Sequence, residues 1–357
     1  MSKFENNMLG LVPKEEWLQV GLDVTRPNDP IDQLFGDIRT DNLVAYWESI
    51  AAEYQVPMMA NFHGFDTEAQ QTFRVPVDVH NIEKGLIKVK LNQSERLRAL
   101  IRSGVQNDQL YDYVMNDGIR LADQVETRSK VAKNELMATG KVTIKENNLD
   151  LTVDYGVPNA QLALTLDFGE GASAPVDEQL ETIVSTALAA GQTLTGFMTS
   201  RSILNKLRKN AAIQKAVNGV NMVGSLVSNA DLRAYLSEEY GLNDIITNDL
   251  TYGVPAAFGA DGRPHVTSKR YYPTNKISFF AANPNGKLGD GLWGDPPEAD
   301  VSRYVDVQGS SVSPFIYVTQ WTENDPAVLW TKASALFMPV LYNPNSLFVA
   351  TATETQA

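Results

Sequence analysis

The sequence has no cysteine and only three histidines among its 357 residues. The lack of cysteine excludes disulfide bridges, thiolate nucleophiles and cysteine-ligated metal sites. The histidines, His63, His80 and His265, do not fall at metal-ligand spacing, and no H-E-x-x-H motif is present. We therefore expect all three to be structural or surface residues, and we predict no metal site.

Long apolar runs are also missing. No run approaches the roughly 18 apolar residues that indicate a membrane-spanning helix. The most apolar stretch, residues 333–350, is interrupted by Pro339 and Pro344. The first residues do not place a basic stretch before an apolar one, so no secretory signal is expected either.

Basic residues are too few to balance the acidic ones. Thirty Lys and Arg residues stand against 43 Asp and Glu residues, which gives a formal net charge of -13. Binding to nucleic-acid phosphates relies on clustered Lys and Arg, so this balance argues against a dedicated nucleic-acid-binding protein. Apolar residues at 43% and charged residues at 20% are typical of a folded protein, and the length suggests two or three domains.

Catalytic motifs are absent apart from one fragment. The sequence contains no P-loop, nucleophile elbow or paired-carboxylate motif, but residues 289–294 (GDGLWG) match G-x-G-x-x-G. A dinucleotide-binding loop of this type opens a helix, whereas Asp295-Pro296-Pro297 follows here and cannot form a helix interior. We interpret the match as accidental, within a glycine-rich loop at 283–297, and predict no catalytic residue and no cofactor.

The strongest local signal is a long helix from Asp108 to Gly140. Its apolar residues recur at spacings of four and seven and predict one buried face, formed by Leu110, Val114, Leu121, Val125, Ala132 and Leu136. Asp108 is predicted to cap the start, and Gly140 to end the helix in a left-handed conformation. Gly118 can kink the helix or split it in two, and Glu126 and Lys130 are predicted to pair on the solvent-facing side. Taken alone, the stretch is equally compatible with an ordinary long helix packed on a sheet.

The residues at the N-terminal end are predicted to form an arm and a first helix. Residues 1–39 lack a persistent period and are punctuated by prolines, so Trp17 and Phe35 would need a neighbour, within the chain or from another subunit, to bury them. From Leu43 the pattern is helical, with one face formed by Leu43, Tyr46, Trp47, Ile50, Ala51 and Tyr54.

An extended excursion is predicted between the first helix and the long one. Residues 72–79 alternate around Pro76 and predict an edge strand, and residues 86–91 predict a second strand after a turn at 83–85. A short helix at 94–102 is predicted to lead back.

The remainder is predicted as a hairpin, a loop and an α/β unit. Residues 141–154 predict a β-hairpin with its turn at 146–148, and residues 155–175 a loop. The further predicted elements are helices at 176–190, 201–215 and 229–240, strands at 194–198, 244–252, 276–282, 312–319 and 336–352, and a turn at 259–262. The helix at 201–215 is capped by Ser200 and is basic. It can meet phosphate, although a solvated surface is the commoner role of such a helix.

This order of elements resembles that of the tailed-phage major capsid proteins, in particular the lambda-like E family of head proteins. The likeness is strongest at residues 121–158, which resemble that family's spine helix and the β-hairpin after it, and at the C-terminus. Further similar segments are Met198-Thr199-Ser200 with Ile203 and Leu204, Tyr271-Tyr272-Pro273, residues 276–282, and residues 341–349 (LYNPNSLFV). The resemblance covers most of residues 40–352.

The resemblance implies an α+β chain with the Hong Kong-type capsid fold. The implied parts are the N-terminal arm and first helix (1–54), an extended loop (55–106), a peripheral domain with spine helix and β-hairpin (107–175), an axial domain (176–335), and a C-terminal strand returning to the peripheral domain (336–357).

The resemblance also implies a function and partners. In that family, hexamers and pentamers close an icosahedral shell around double-stranded DNA, so we expect a non-enzymatic capsid protein of the virion, assembled in the host bacterial cytoplasm. The implied partners are further copies of the chain, a portal protein, a decoration protein and a separate scaffolding protein, because the chain lacks a long N-terminal coiled coil. The acidic net charge predicts weak, non-specific contact with packaged DNA. Four aromatic residues would gain partners on assembly: Trp17, Phe35, Phe65 and Phe73.

Some capsid proteins of this fold join a lysine of the extended loop to an asparagine of a neighbour. Lys84, Lys88 and Lys90 lie in the corresponding region, and Asn343 or Asn345 are conceivable acceptors. A lysine must be desolvated to act as a nucleophile near neutral pH, and nothing in the sequence indicates this. We therefore do not expect a cross-link.

Two alternatives stay open at this point. An encapsulin-like compartment shell has the same fold but stores enzymes, and DNA inside native particles distinguishes the two. A soluble α/β ligand-binding protein or enzyme, with residues 176–335 as the binding domain, would sediment as a small oligomer.

Overall fold

The computed structural model of the chain describes residues 29–49, 59–60, 74, 78–93, 107–147, 149–169, 174–219, 224–258, 264–299, 307–313, 315–325 and 327–353. The α-helices in these ranges are α1 (Asn107–Thr139), α2 (Asn159–Leu162), α3 (Val176–Ala189), α4 (Arg201–Lys209), α5 (Ala211–Asn218) and α6 (Asn229–Tyr240). Short 3-10 helices are formed by Pro30–Gln33, Pro297–Ala299 and Pro344–Ser346.

The strands fall into two large sheets and three two-stranded ones. The first eight are β1 (Phe35–Arg39), β2 (Val44–Ser49), β3 (Asp78–Glu83), β4 (Gly85–Gln93), β5 (Lys141–Glu146), β6 (Leu149–Asp154), β7 (Leu164–Asp167) and β8 (Gly196–Thr199). The others are β9 (Asp244–Thr247), β10 (Thr251–Phe258), β11 (Pro264–Arg270), β12 (Lys276–Phe280), β13 (Gly289–Gly294), β14 (Val307–Ser313), β15 (Ile316–Asn324), β16 (Ala327–Leu341) and β17 (Leu347–Thr353).

The long helix is confirmed, as α1. At about 1.5 Å per residue it is roughly 50 Å long. It is continuous through Gly118 and is not split in two. Leu121, Val125, Ala132 and Leu136 of the predicted apolar face are all buried. Leu110 and Val114 of the same face lie where only the backbone is described.

The two ends of α1 compare differently with the prediction. Asp108 is the second residue of the helix, so the prediction that it caps the start is wrong. Gly140 ends the helix with φ of 68°, as predicted, and its N–H donates to the carbonyl of Leu136 at 2.8 Å. Glu126 and Lys130 do pair at 3.0 Å, but both side chains are largely buried, so their predicted place on the solvent-facing side is wrong.

The larger sheet packs against α1. Its strand order is β1-β13-β16-β15-β14, with β4 paired to β16 in addition. The 15-residue β16 pairs with three strands of this sheet, β4, β13 and β15, and not with β1 or β14. Buried residues of α1, β13 and β16 form one apolar core.

The second sheet has the order β7-β17-β12-β8-β9, and helices α3 to α6 cover its apolar side chains in a second core. The strand β7 lies inside the predicted loop 155–175, where four residues pair in parallel with β17. The predicted helix at 201–215 is interrupted at Asn210, which ends α4 and caps α5. The predicted strand at 244–252 is likewise two strands, β9 and β10.

The strand pairing groups the C-terminal half differently from the order of the sequence. Strands β13 to β16, residues 289–341, belong to the sheet on α1, whereas β17 joins the sheet covered by α3 to α6. Residues 312–319, predicted as one strand, contribute to both β14 and β15. The middle of the predicted loop 283–297 is the strand β13.

The segment predicted as an arm is partly folded into the body of the chain. Residues 30–33 form a 3-10 helix, and β1 pairs in parallel with β13. Phe35 is fully buried in the chain's own core, so the prediction that it gains packing partners only on assembly is wrong. Trp17, Phe65 and Phe73 lie outside the described residues.

The first predicted helix is wrong where the structure describes it. Residues 44–49 form β2, which pairs antiparallel with β3. Ala45 is buried while Tyr46 is 59% exposed, so the burial follows strand alternation. The tyrosine and tryptophan that suggested a helical face suit a strand equally well.

Most of the predicted edge strand at 72–79 lies outside the described residues, and its last two positions are the start of β3. The prediction for 86–91 is confirmed by β4, whose partner is β16, and β3 pairs with β2. The predicted helix at 94–102 and the turn at 259–262 lie outside the described residues. Within the described part, no helix has the length and apolar character needed to cross a membrane.

Candidate functional site

The G-x-G-x-x-G match forms a strand between two other strands. β13 is followed by a 3-10 helix at Pro297–Ala299 and not by the helix that a dinucleotide site requires. A Cβ atom at Gly289 would overlap the carbonyl oxygen of Val340, and one at Gly291 would lie 2.8 Å from the ring of Phe337. The glycines therefore allow close packing within the sheet.

Lys84 is the desolvated lysine among the three cross-link candidates. Its ammonium group donates to the carbonyl of Thr40 at 2.8 Å and to the carbonyl of Trp293 at 3.2 Å. Burial lowers the pKa of Lys84, and the carboxylates of Asp41 and Asp295 oppose that shift. Lys84 therefore makes its hydrogen bonds within the chain. These bonds connect the turn that precedes β4 to strand β13.

The other cross-link candidates are also engaged within the chain. The Lys90 ammonium lies 4.1 Å from the ring centroid of Trp330, and that of Lys88 lies 4.0 Å from Glu298. The side-chain oxygen of Asn343 accepts from the N–H of Asn345, at the start of the last 3-10 helix.

A polar network joins residues 29–39 (the N-terminal segment), α1 and both large sheets. Lys133 of α1 is 1% exposed, and its ammonium lies 2.9 Å from Asp37 and 3.3 Å from Asp32. The Asp37 carboxylate also accepts from the indole N–H of Trp293 at 2.7 Å. These contacts fix the 3-10 helix and β1 against α1.

The network continues to the second sheet. The Asn248 amide, just after β9, donates to Asp29 at 3.1 Å and to the side chain of Asn134 at 2.9 Å. Asn134 in turn donates to the carbonyl of Lys130 at 2.9 Å. One fully buried asparagine therefore connects the N-terminal segment, the long helix and the sheet under α3 to α6.

The Asp29 carboxyl is only partly hydrogen-bonded in this network. One oxygen accepts from the Ile31 N–H at 3.0 Å, and the other has no hydrogen-bond partner among the described residues. Burial raises the pKa of Asp29 above its ordinary value, and the negative charge of Asp32 adds to this, whereas Lys130 and Lys133 oppose it.

We expect Asp29→Asn to remove a pH-dependent loss of stability. Because the pKa of Asp29 is higher in the folded chain, the folded state holds this proton more strongly, and its stability falls as the pH rises from 3.8 through the folded-state pKa. The asparagine keeps an oxygen for the Ile31 N–H. In urea titrations, the stability of the variant relative to the wild type should increase across that window and then level off. A difference that does not change with pH would contradict the expectation, and Asp29→Ala should cost about 1 kcal/mol by loss of the cap.

Two-stranded elements extend outside the two cores. β10 and β11 form a hairpin of their own, and residues 265–270 are exposed, with Val266 at 68%. The predicted hairpin at 141–154 is confirmed by β5 and β6, which leave Leu149 half exposed near the turn. Edges and apolar side chains in such positions are typical of surfaces that another chain covers.

The described histidines lie apart from each other. His80 lies in β3 and His265 in β11, in different sheets, while His63 is outside the described ranges. Within those ranges, no group of three or more His, Asp or Glu side chains is arranged to hold a metal ion.

The buried network was not predicted from the sequence. Lys133 and Asn134 were assigned to the long helix without a role. A signal was present, because Met137 lies four residues after Lys133 and is itself fully buried, so the lysine falls on an extension of the apolar face. Asn248 and Asp29 carry no comparable local signal.

Three solved structures with similar folds come from phages or are related to phage proteins. A prophage protein of E. coli CFT073, described provisionally as a capsid protein, is similar over 96% of this chain and 99% of its own, with 12% identity and a TM-score of 0.55. A phage-related protein from Bordetella bronchiseptica RB50 covers 95% and 96%, with 10% identity and a TM-score of 0.49. The capsid asymmetric unit of cyanophage A-1(L) covers 92% and 93%, with 13% identity and a TM-score of 0.48. The first of these shows a shared fold, and the expected Hong Kong-type capsid fold is confirmed.

No curated protein matches the chain significantly. A family model described as phage major capsid protein E does match, and it spans residues 86–352. The match includes all of α1, the β5–β6 hairpin, the second sheet with nearly all of β17, and every strand of the larger sheet except β1. This chain belongs to the phage major capsid protein E family.

Proposed function

We propose that the chain assembles as hexamers and pentamers into an icosahedral shell around the double-stranded DNA of a tailed phage. Its family makes it a shell-forming protein of the virion. The observation that carries the finer proposal is the β10–β11 hairpin, which pairs with neither large sheet and leaves residues 265–270 exposed. A surface of this kind gains partners when identical copies surround it.

The proposal extends to partners and place. A separate scaffolding protein, a portal protein and a decoration protein act with the shell, which forms in the host bacterial cytoplasm, and the chain itself catalyses no reaction. The sheet on α1 serves as the peripheral domain and the sheet under α3 to α6 as the axial domain. This division keeps the N-terminal arm and extended loop but assigns β13 to β16 to the peripheral part and β17 to the axial part, as their pairing supports.

Electron microscopy and sedimentation of the chain expressed with and without its phage's scaffolding protein test this proposal. Closed particles of uniform size should form with the scaffold, and native particles should protect double-stranded DNA from nuclease. A small soluble oligomer under all conditions would contradict the proposal that the chain forms a shell. Particles filled with protein cargo would support the compartment function instead. Shells of normal size from the chain alone would show that no separate scaffolding protein is needed.

Val266→Lys is expected to reduce shell formation without unfolding the chain. The side chain is exposed, so the free energy of unfolding should change by no more than about 0.5 kcal/mol. A charge placed in a buried contact between copies should nevertheless lower the particle yield severalfold in sedimentation. Thr267→Lys, on the other face of the same strand, is the matched control and should have the smaller effect. A Val266→Lys particle yield equal to that of the wild type would show that this position does not lie in a contact between copies.

We expect the shell to be free of covalent cross-links. Lys84 is buried and hydrogen-bonded within its own chain, and Asn345 is 6% exposed. Whole particles boiled in detergent should give a single 39.3 kDa band on a denaturing gel. A ladder of multiples would overturn this expectation.

A further inference from the structure

The segment 201–219 has a charge opposite to that of the whole chain. It contains five basic residues and no acidic one, in a protein whose formal net charge is -13. The basic residues are Arg201, Lys206, Arg208, Lys209 and Lys215. Such segregation produces a local positive potential that the total charge conceals.

The segment is a fixed pair of helices. α4 buries Ile203, Leu204 and Leu207, so its basic side chains lie on the remaining surface. Asn210 joins α4 to α5: its side-chain oxygen accepts from the N–H groups of Ala212 and Ile213, and its amide donates to a buried carbonyl. The positions of the charges relative to one another are therefore set by the fold.

Three of the five charged groups make no ion pair or hydrogen bond with any other described residue. Arg208 donates to the carbonyl of Val227 at 2.7 Å, and the Lys206 ammonium lies 5.5 Å from the ring centroid of Phe168. Arg201, Lys209 and Lys215 are exposed, and no carboxylate in the described part of the chain lies within 4.0 Å of their charged groups. This holds although acidic residues occur on α3 and α6, beside α5.

We propose that Arg201, Lys209 and Lys215 on the exposed surface of α4 and α5 form the contact with the phosphate backbone of the packaged double-stranded DNA. This inference rests on the proposed function, because it names where the shell touches its contents. Arg201 and Lys209 are about 12 Å apart along α4, and duplex DNA carries a charge about every 1.7 Å along its axis, so several phosphates lie within reach of one subunit.

The composition of the surface favours duplex DNA over other polyanions. Residues 201–219 contain no aromatic side chain on which the bases of a single strand could stack. Three cations per subunit give weak binding at physiological salt, and repetition over identical subunits makes the contact continuous. Weak contacts with many copies hold the DNA without preventing its release.

Binding of the purified chain to a short fluorescein-labelled duplex of mixed sequence tests the contact directly. The triple variant R201Q/K209Q/K215Q is compared with K145Q/K269Q/K287Q, which makes the same change of net charge at other lysines. Between about 50 and 200 mM salt, three lost phosphate contacts should make the slope of log affinity against log salt shallower by about 2.7 and weaken binding on the order of tenfold or more at the lowest salt. The control variant should resemble the wild type.

Several results would overturn the proposal. Equal losses in both variants would show that net charge alone matters, and no duplex binding by the wild type at about 50 mM salt would exclude the contact. Binding of polyglutamate in preference to the duplex would assign the surface to an acidic protein partner.

A second measurement places the surface within the particle. The chain has no cysteine, so Lys215→Cys introduces a single thiol, and Lys145→Cys provides the matched control. Iron–EDTA attached to position 215 in DNA-filled particles should cut the packaged DNA, and the probe at 145 should cut it less. DNA-filled particles without preferential cutting from 215 would overturn the inference and leave the shell function intact, whereas a chain that forms no particles would contradict the shell function itself.

Discussion

Lys133→Met should lower the free energy of unfolding of the unassembled chain by about 3 kcal/mol, the lower end of the cost of breaking a buried ion pair from one side. The lysine side chain is 1% exposed, whereas its partners Asp32 and Asp37 are 28% and 33% exposed. Water can therefore solvate part of the carboxylate charge left behind, which places the cost at the lower end. Urea titration of the unassembled chain measures it.

The control for this prediction is an ion pair at the surface. Lys145 lies 3.6 Å from Asp150 in the β5–β6 hairpin, and both side chains are mostly exposed. Lys145→Met should cost no more than about 1 kcal/mol, since solvent screens the pair. If the two methionine variants were equally stable, Lys133 would not hold the N-terminal segment against α1.

A double variant separates the ion pair from the packing of the lysine chain. In Lys133→Met with Asp37→Asn, the carboxylate charge is lost together with the ammonium, while an oxygen is kept for the Trp293 N–H. The combined loss should be smaller than the sum of the single losses, by about 0.5–3 kcal/mol. Strict additivity would show that the Lys133–Asp37 pair contributes no coupling energy.

Local patterns predicted the elements whose stability is decided within a few residues of sequence. The apolar face of α1 repeats the helical period, and the helix ends at Gly140, which adopts positive φ. The β5–β6 hairpin repeats the strand period, and Asn147 in its turn also adopts positive φ. Both were predicted from the sequence. The fold was also predicted, through the resemblance that begins in this same region, and the family match confirms it.

Elements that depend on distant partners were predicted poorly. β1 exists because residue 35 pairs opposite residue 289, and β2 because it pairs with β3 across a long connection. A short stretch such as 44–49 has too few residues for its period to separate helix from strand. The same limit applies to Lys133, whose burial depends on Asp32 and Asp37, about one hundred residues earlier in the chain.

Net charge and local charge lead to different expectations about DNA. The total of -13 argues against a dedicated nucleic-acid binder, because phosphate contacts rely on clustered Lys and Arg. The helices α4 and α5 show that an acidic chain can still expose cations that pair with no carboxylate among the described residues. A weak contact of this kind depends on their position relative to the DNA and not on the sum of charges.

Gly289→Ala is expected to cost more than about 3 kcal/mol in unfolding free energy, above the usual range for overpacking, and to prevent recovery of folded chain if β13 cannot shift. The added Cβ atom would overlap the backbone carbonyl of Val340 and lie 2.9 Å from the ring of Phe35. The carbonyl belongs to β16, which is held by three other strands and by α1, so it cannot move away as a flexible side chain would. The yield of soluble chain and its urea midpoint measure the effect.

The matched control is Gly85→Ala, a glycine at the start of β4 in the same sheet. There the nearest neighbouring atom would be 3.6 Å from the new Cβ, which is ordinary contact, so the change should cost little or stabilise the chain slightly by restricting its unfolded state. Folded Gly289→Ala chain as stable as Gly85→Ala would refute the packing account of the G-x-G-x-x-G match. The predicted contrast follows because Gly289 lies where two backbones approach each other, a position that excludes every side chain whether or not a phosphate is near.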